Sequence, residues 1–152
     1  MPTPLTPQPR RGSYLYPSLQ DATVGEAMHP GILACTADLP LRAVAGLMAS
    51  NRVHCIAITG NSAGERGEAV WGIVSDLDVV RTAIREGFDR TAGELALEPA
   101  VTIDAAASLS DAGELMLTRC IHHLVVIAPG SARPIGVLSS LDIASVIAAG
   151  EL

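Results

Sequence analysis

The heptapeptide Gly72-Ile-Val-Ser-Asp-Leu-Asp78 recurs 64 residues later as Gly136-Val-Leu-Ser-Ser-Leu-Asp142. Each copy begins with apolar residues and ends with polar ones, a pattern typical of a buried strand that leads directly into a helix. Two such motifs in one chain indicate an internal duplication, which decides the fold class before any other feature. The pair predicts two equivalent strand–turn–helix units.

The similarity between the two halves continues upstream of both heptapeptides. Thr23-Val-Gly-Glu-Ala27 matches Thr91-Ala-Gly-Glu-Leu95, and Val53-His-Cys-Ile56 matches Ile121-His-His-Leu124, both at an offset of 68 residues. The offset changes to 64 within residues 60–69, which are rich in Gly and Glu. Because surface loops tolerate changes of length, this segment is the predicted site of a short insertion.

Each repeat predicts the same order of elements, β-α-β-β-α, after a helical turn. The turn begins at Thr23 or Thr91 with glutamate three positions later, the capping-box pattern. Apolar residues at helical spacing predict helices over Leu41–Asn51, Leu77–Arg85, Leu109–Thr118 and Leu141–Ala149. Short apolar runs predict strands at Ile32–Cys35, Cys55–Ile58, Val70–Val74, Val101–Ile103, Leu124–Ile127 and Ile135–Leu138.

A unit of about 60 residues buries too little apolar surface to be stable alone. We therefore expect the two repeats to pack side by side with pseudo-twofold symmetry. The predicted fold class is α+β, with one βαββα repeat over residues 22–87 and the other over 88–152. Residues 1–21, which hold half of the ten prolines, predict a flexible arm.

The composition argues against several classes of partner. The net charge is −6 and the only strongly basic residues are ten arginines, so binding to a nucleic-acid backbone is not expected. Aromatic residues make up 3% of the chain, too few for a base-stacking surface. No apolar stretch reaches the roughly 18 residues that cross a bilayer. The three cysteines, Cys35, Cys55 and Cys120, are widely spaced, so we expect buried, reduced thiols and a cytoplasmic protein.

The two heptapeptides place hydroxyl and carboxylate groups at predicted helix starts. Ser75 and Ser139 stand where free N–H groups and the helix dipole favour an anion. Asp78 and Asp142, one turn later, could accept hydrogen bonds from both hydroxyls of a ribose. The same Ser-x-x-Asp pattern is also an N-terminal capping box, and the two interpretations are compatible, because a capping residue can turn outward when a ligand arrives.

The duplicated motif, with a histidine before the middle strand of each unit, resembles the CBS domain. The tandem pair is similar to a Bateman module over roughly residues 22–150, and to the CBS repeats of the AMP-activated protein kinase regulatory subunit. This resemblance implies a regulatory sensor of an adenine-containing ligand. It assigns ribose and phosphate to the Ser and Asp positions, phosphate to His54 and His122, and adenine to the first strands. The adenine-binding residues would then be Ile32, Ala34, Ala100 and Thr102.

Many nucleotide-binding members carry a basic residue before the aspartate, where this chain has Leu77 and Leu141. The available positive charge lies in the histidines together with Arg52, Arg119 or Arg133. A monophosphate such as AMP, or an adenosyl ligand such as S-adenosylmethionine, therefore fits better than ATP. The second repeat, with the adjacent pair His122 and His123, is the preferred phosphate site.

Two more specific hypotheses, a metal site and a hydrolase triad, have less support in the sequence. His122 and His123 with His29 or His54 as metal ligands would need adjacent strand residues, which point to opposite faces, to hold one ion. A hydrolase triad of Ser75, His54 and Asp78 lacks a strained nucleophile turn. We expect no metal site, no resident cofactor and no enzyme activity.

The sequence favours a stand-alone CBS pair that binds its ligand between the repeats, forms a homodimer through its helices and acts on an unidentified regulated protein. The alternative is a ligand-free scaffold for dimerisation or protein interaction.

Overall fold

The structure, a computed structural model, describes residues 18–59, 70–96 and 99–150. Residues 1–17 of the predicted arm and the predicted insertion at 60–69 lie outside these ranges. The first half contains α1 (Val24–Ala27), β1 (His29–Pro30), β2 (Ala34–Thr36), α2 (Leu41–Asn51), β3 (Cys55–Thr59), β4 (Val70–Ser75) and α3 (Asp76–Arg85). The second contains α4 (Ala92–Leu95), β5 (Thr102–Asp104), α5 (Leu109–Arg119), β6 (His123–Ile127), β7 (Pro134–Ser139) and α6 (Ser140–Gly150).

The predicted order of elements is confirmed in both halves, and α2 has the predicted bounds. The first long strand of the first half begins at Ala34 rather than Ile32, because the chain crosses between two sheets over residues 31–33. His29 and Pro30 pair with β7 of the second half, opposite Val137 and Gly136. The chain then crosses to its own sheet, where β2 runs parallel to β3.

Each half builds its own sheet from the same pairings. In the first half the strand order is β2-β3-β4, and in the second it is β7-β6-β5 with β1 added beside β7. The outer pair on one side is parallel, whereas the β3–β4 and β6–β7 hairpins are antiparallel. Pro99 of the second half forms an isolated bridge with Gly72 of β4, the counterpart of the β1–β7 pairing. The two halves therefore exchange the segments that precede their first long strands.

The short helices α1 and α4 are exchanged in the same way. Val24 of α1 is fully buried among second-half residues that include Leu109 and Leu124. Leu95 of α4 is fully buried in the first-half core beside Ile56. Each hydrophobic core is thus completed by a helix from the other half, which is how two small units share enough buried surface to be stable.

The exchanged segments are also held by backbone hydrogen bonds. Val24 N donates to Ala107 O at 2.8 Å, and Ala92 N donates to Leu39 O at 2.8 Å. These pairings satisfy the free N–H groups at the start of both short helices. Within the described residues, no helix is long and apolar enough to cross a membrane.

The exchange of β1 depends on the absence of a side chain at Gly136. A Cβ placed there would clash with the carbonyl oxygen of His29 and lie 2.8 Å from Met28 Sδ. At the equivalent Gly72, a Cβ would lie 3.2 Å from the Ala96 Cβ, a tight but softer contact.

The substitution Gly136→Ala should therefore displace β1 and lower the free energy of unfolding by about 1–3 kcal/mol, as overpacking against backbone does. Gly72→Ala is the matched control and should cost less, since its neighbour is a single methyl group. Urea denaturation of both variants measures the difference. Equal losses would contradict the asymmetric packing of β1.

Candidate functional site

A cavity of about 780 Å³ lies where the two halves meet. It is lined by His54, Ile73, Ser75, Asp76, Leu77, Asp78 and Arg81 of the first half, and by Pro99, Ala100, Val101, Arg119, Cys120, Ile121, His122, His123, Ser139, Ser140 and Leu141 of the second. The β4–α3 turn of the first half contributes one wall. The leading segment of β5 and the start of β6, both from the second half, contribute the other.

The turn at the start of α3 is a complete capping box. Asp78 N donates to Ser75 Oγ at 3.1 Å, and Ser75 N donates to Asp78 Oδ2 at 2.8 Å. The other carboxylate oxygen, Oδ1, accepts from Arg81 Nη2, an ion pair between side chains one helical turn apart. The capping interpretation of Ser-x-x-Asp is confirmed here. The Ser75 hydroxyl and the Arg81 guanidinium still line the cavity.

The equivalent turn at the start of α6 has the same capping box but a different third partner. Asp142 Oδ2 accepts from Ser139 N at 2.7 Å and from Ser139 Oγ at 2.9 Å. Asp142 Oδ1 lies 2.8 Å from Nε2 of His29, which β1 brings from the first half. The Asp142 side chain is only 10% exposed, and both of its oxygens are engaged.

A second histidine–carboxylate pair lies at the edge of the cavity. His54 Nδ1 is 2.9 Å from Asp76 Oδ2, and this hydrogen bond is the main cause that lowers the pKa of Asp76 below its usual value. The backbones are linked as well, since Asp76 N donates to His54 O at 2.8 Å. The second half repeats the backbone bond, from Ser140 N to His122 O at 2.9 Å, without a carboxylate.

Two groups at the starts of the middle strands are shielded from water. Burial lowers the pKa of His123, so its imidazole is neutral at pH 7. Burial, with smaller contributions from Asp76 and Asp142, raises the pKa of the Cys55 thiol to about 12. Neither His123 nor Cys55 carries a charge near neutral pH, so His123 offers the cavity a neutral donor or acceptor rather than a cation.

The structure brings together most of the residues that the sequence selected. Seven of them line the cavity: Ser75, Asp78, His54, Ala100, His122, His123 and Ser139. Four lie outside the lining: Asp142, Ile32, Ala34 and Thr102. His122 of the second half shares the cavity with Ser139, as the sequence analysis grouped them, and also with Ser75 and Asp78 of the first half, while Asp142 lies outside the lining. The binding role of every one of these residues stays a prediction.

Two features of the cavity were not anticipated. Arg81 was missed, although its position three residues after Asp78 on a helix is a signal for an ion pair. Cys120 was expected to be buried and is exposed. The reason is that Cys120 ends α5 in the left-handed conformation, with φ of 53°, which turns it out of the apolar pattern of the helix. In the described part of the chain, no group of three or more His, Cys, Asp or Glu side chains is placed to hold a metal ion.

Comparison with known proteins gives one family and many similar structures. A family model of the CBS domain matches residues 24–85 and again 92–149. No curated protein matches the chain at a significant level.

Among solved structures, Hypoxic Response Protein I with two coordinated zinc ions is 26% identical. The TM-score is 0.66, and the match covers 82% of this chain and 98% of the chain of that protein. A CBS domain protein from Pyrobaculum aerophilum complexed with AMP is 24% identical, with a TM-score of 0.71 over 86% of this chain and 98% of its own. The CBS domain pair of protein MJ0100, in complex with 5′-methylthioadenosine and S-adenosyl-L-methionine, is 15% identical. Its TM-score is 0.73 over 84% of this chain and 97% of its own.

The environments of the thiols predict a clear order of chemical reactivity. The thiolate is the reactive species, so Cys55, with a pKa of about 12, should react far more slowly at pH 7.5 than the exposed Cys120. Labelling with a thiol reagent, followed by peptide mass spectrometry, measures both rates. In the denatured protein the two rates should become similar. A native Cys55 that reacts as fast as Cys120 would contradict its shielded position.

Proposed function

The chain belongs to the CBS domain family, and from that premise we propose that it is a ligand-binding regulatory module whose ligand is an AMP-like nucleotide. The nucleotide binds in the cavity between the two halves. The observation that carries this proposal is that one cavity of about 780 Å³ gathers hydroxyl, imidazole and guanidinium groups from both repeats. Its size lies within the range of about 300–1,000 Å³ that small-molecule sites occupy.

The polar groups of the cavity match the parts of a nucleotide. Asp78, with Arg81 beside it, lies at the start of α3 and offers carboxylate oxygen to ribose hydroxyls once Arg81 turns toward the ligand. The Ser75 hydroxyl and the His122 imidazole donate to phosphate oxygens. Ala100 lies in the leading segment of β5, where Pro99, Ala100 and Val101 form an apolar wall that suits adenine.

The charges of the cavity favour a phosphate over an adenosyl ligand with a sulfonium group. Arg119 ends α5 at the cavity wall and forms no ion pair with the carboxylates of the described residues. Arg81 is half-buried on the opposite side. Asp76 and Asp78 also line the cavity, but each already has a partner, His54 and Arg81 respectively. The Arg119 guanidinium is therefore left to attract a phosphate and to repel the positive sulfur of S-adenosylmethionine. The AMP complex of the Pyrobaculum aerophilum protein, a structure of the same fold, supports this choice.

Binding regulates only if the ligand favours one arrangement of the protein over another. Because the cavity walls come from both halves, a bound nucleotide favours their closed arrangement. It also stabilises the fold by mass action, by about 2.7 kcal/mol at a hundredfold excess over the dissociation constant. The regulated protein and a reducing, cytoplasmic location stay predictions.

Catalysis is not part of this proposal. Ser75, His54 and Asp78 do not form a relay, because His54 Nδ1 is bonded to Asp76, while Ser75 and Asp78 are bonded to each other. A serine hydrolase needs its base hydrogen-bonded to the nucleophile. The three residues instead have separate roles: His54 forms a surface hydrogen bond with Asp76, and Ser75 and Asp78 form a helix cap.

We also infer a homodimer formed through the helices. Leu77, Val80 and Ile84 follow one face of α3 and are 64%, 51% and 78% exposed, and Ile147 of α6 is 45% exposed. Large exposed apolar patches are uncommon on monomeric proteins. A second copy presents the same face, so an isologous contact is the simplest way to cover it. The same surface supports the alternative function, a scaffold that binds no nucleotide.

Thermal shift with AMP distinguishes the two functions: a rise in Tm supports the sensor, and no rise at millimolar AMP supports the scaffold.

Arg119→Ala should weaken AMP binding about tenfold, the effect of losing about 1.4 kcal/mol of a charged contact. The phosphate contact is lost while the adenosine part keeps its partners, so affinity for adenosine should not change. Isothermal titration calorimetry measures both ligands.

Arg133→Ala is the matched control, since Arg133 is an exposed arginine outside the cavity. It should leave AMP affinity unchanged. In the parent protein, AMP should also slow the labelling of Cys120, which lines the cavity, and not that of Cys35, which does not. Equal AMP affinity in the Arg119 and Arg133 variants would remove Arg119 from the site.

Ile84→Glu should convert the dimer into a monomer, because it places a charge in the covered apolar face. Light scattering after size exclusion gives the mass directly. Arg85→Glu adds a carboxylate one position further along α3 and should leave the dimer intact. If both variants remain dimeric, the interface lies elsewhere.

A further inference from the structure

By the pseudo-twofold symmetry of the fold, the β7–α6 turn marks a second cleft; its Ser139 also lines the cavity, whereas its carboxylate, Asp142, does not. There, Ser139 and Asp142 take the positions that Ser75 and Asp78 hold in the first cleft. The carboxylate of Asp142 has a partner from the other half, the His29 imidazole, at 2.8 Å. The partner of Asp78 is Arg81 of its own helix.

Three polar contacts already occupy the Asp142 carboxylate and compete with a ligand hydroxyl for it. One oxygen receives both the backbone N–H and the hydroxyl of Ser139, and the other faces His29 Nε2. The His29 ring is itself 77% exposed, so it covers the carboxylate from the solvent side. It stands where a ribose hydroxyl would have to approach.

The backbone fixes His29 in this place. His29 and Pro30 pair with Val137 and Gly136 of β7, and Gly31 N donates to Ile135 O at 2.9 Å. The contact with Gly136 is so close that a Cβ would not fit. Arg81, by contrast, reaches Asp78 with a long side chain from the same helix and can swing aside without moving a strand.

The second cleft also has fewer cations than the first. The residue equivalent to Arg81, at an offset of 64, is Ser145, and the residue equivalent to Arg119, at an offset of 68, is Asn51. Neither replacement can form a charged bond to a phosphate. The arginine that remains at an equivalent position is Arg52, which takes the place of Cys120. The second cleft thus has one guanidinium where the first has two, and its carboxylate is occupied by His29.

We propose that the His29 imidazole occupies Asp142 in place of a ligand hydroxyl and keeps the second cleft closed, so that each chain binds one nucleotide, in the cavity at Ser75 and Asp78. This proposal rests on the proposed function of that cavity. One copy of the duplicated motif thus forms the binding site, and the other forms an internal contact between His29 and Asp142, here called the clasp. Removal of His29 frees Asp142 and opens a second, weaker site with one arginine where the first has two.

Calorimetric titration with AMP tests the stoichiometry in full-length protein. The parent chain should bind one AMP. His29→Ala should bind two, the second at least tenfold more weakly. His29→Gln retains a side-chain N–H that can reach Asp142 and should return the stoichiometry to one. Tm measured without ligand reports whether each variant is folded.

The outcomes separate this proposal from the proposed function. No binding of AMP by the parent chain overturns the proposed function, and the clasp with it. One AMP in the parent and one in a folded His29→Ala variant overturns the clasp alone. Binding of two AMP molecules by the parent chain shows that His29 does not prevent binding in the second cleft, which also overturns the clasp. If His29→Ala does not fold, His29→Val, which suits a strand but cannot form a hydrogen bond to Asp142, should also bind two AMP, and a single site there overturns the clasp.

Discussion

Everything in this structure depends on the exchange of leading segments between the two halves. The helix that belongs to each repeat by sequence fills the core of the other, with Val24 and Leu95 fully buried on opposite sides. Burial of a leucine or valine side chain contributes about 1.5–3 kcal/mol, so neither core is complete while the halves are apart. The two repeats are thus one cooperative unit with two cores, and their relative position is fixed by packing rather than by a linker.

That exchange is also what assembles the cavity. Because the leading segment of β5 lies against β4 at Gly72, a wall from the second half faces the motif turn of the first. Ser75 and His122 belong to different repeats and lie in one site. A ligand that touches both therefore acts on the contact between the repeats, which is the part of the molecule that a regulatory signal has to change.

Most of the fold could be predicted from the sequence. Helix periodicity, apolar runs and threonine caps determined the elements, because each depends on neighbours along the chain. The exchange could not be read in this way: the spacing of Thr23 and Thr91 is the same whether each short helix packs on its own repeat or on the other. For the same reason, the sequence grouped His122 with Ser139, which lines the same cavity, but did not place it beside Ser75. Cys120 was misjudged because a single residue with positive φ interrupts the periodicity that assigns burial.

The motif that carried the family resemblance is, in physical terms, the least informative about ligands. Ser75 with Asp78 and Ser139 with Asp142 form the same capping hydrogen bonds, and a helix that starts at a strand end requires such bonds whether or not a ligand is present. Selection for stability alone would retain both pairs. Arg81, Arg119 and His29 are different, since each has no equivalent in the other half and none is needed to begin a helix. In a duplicated protein, the residues that break the symmetry are therefore the ones that distinguish a binding cleft from a structural one.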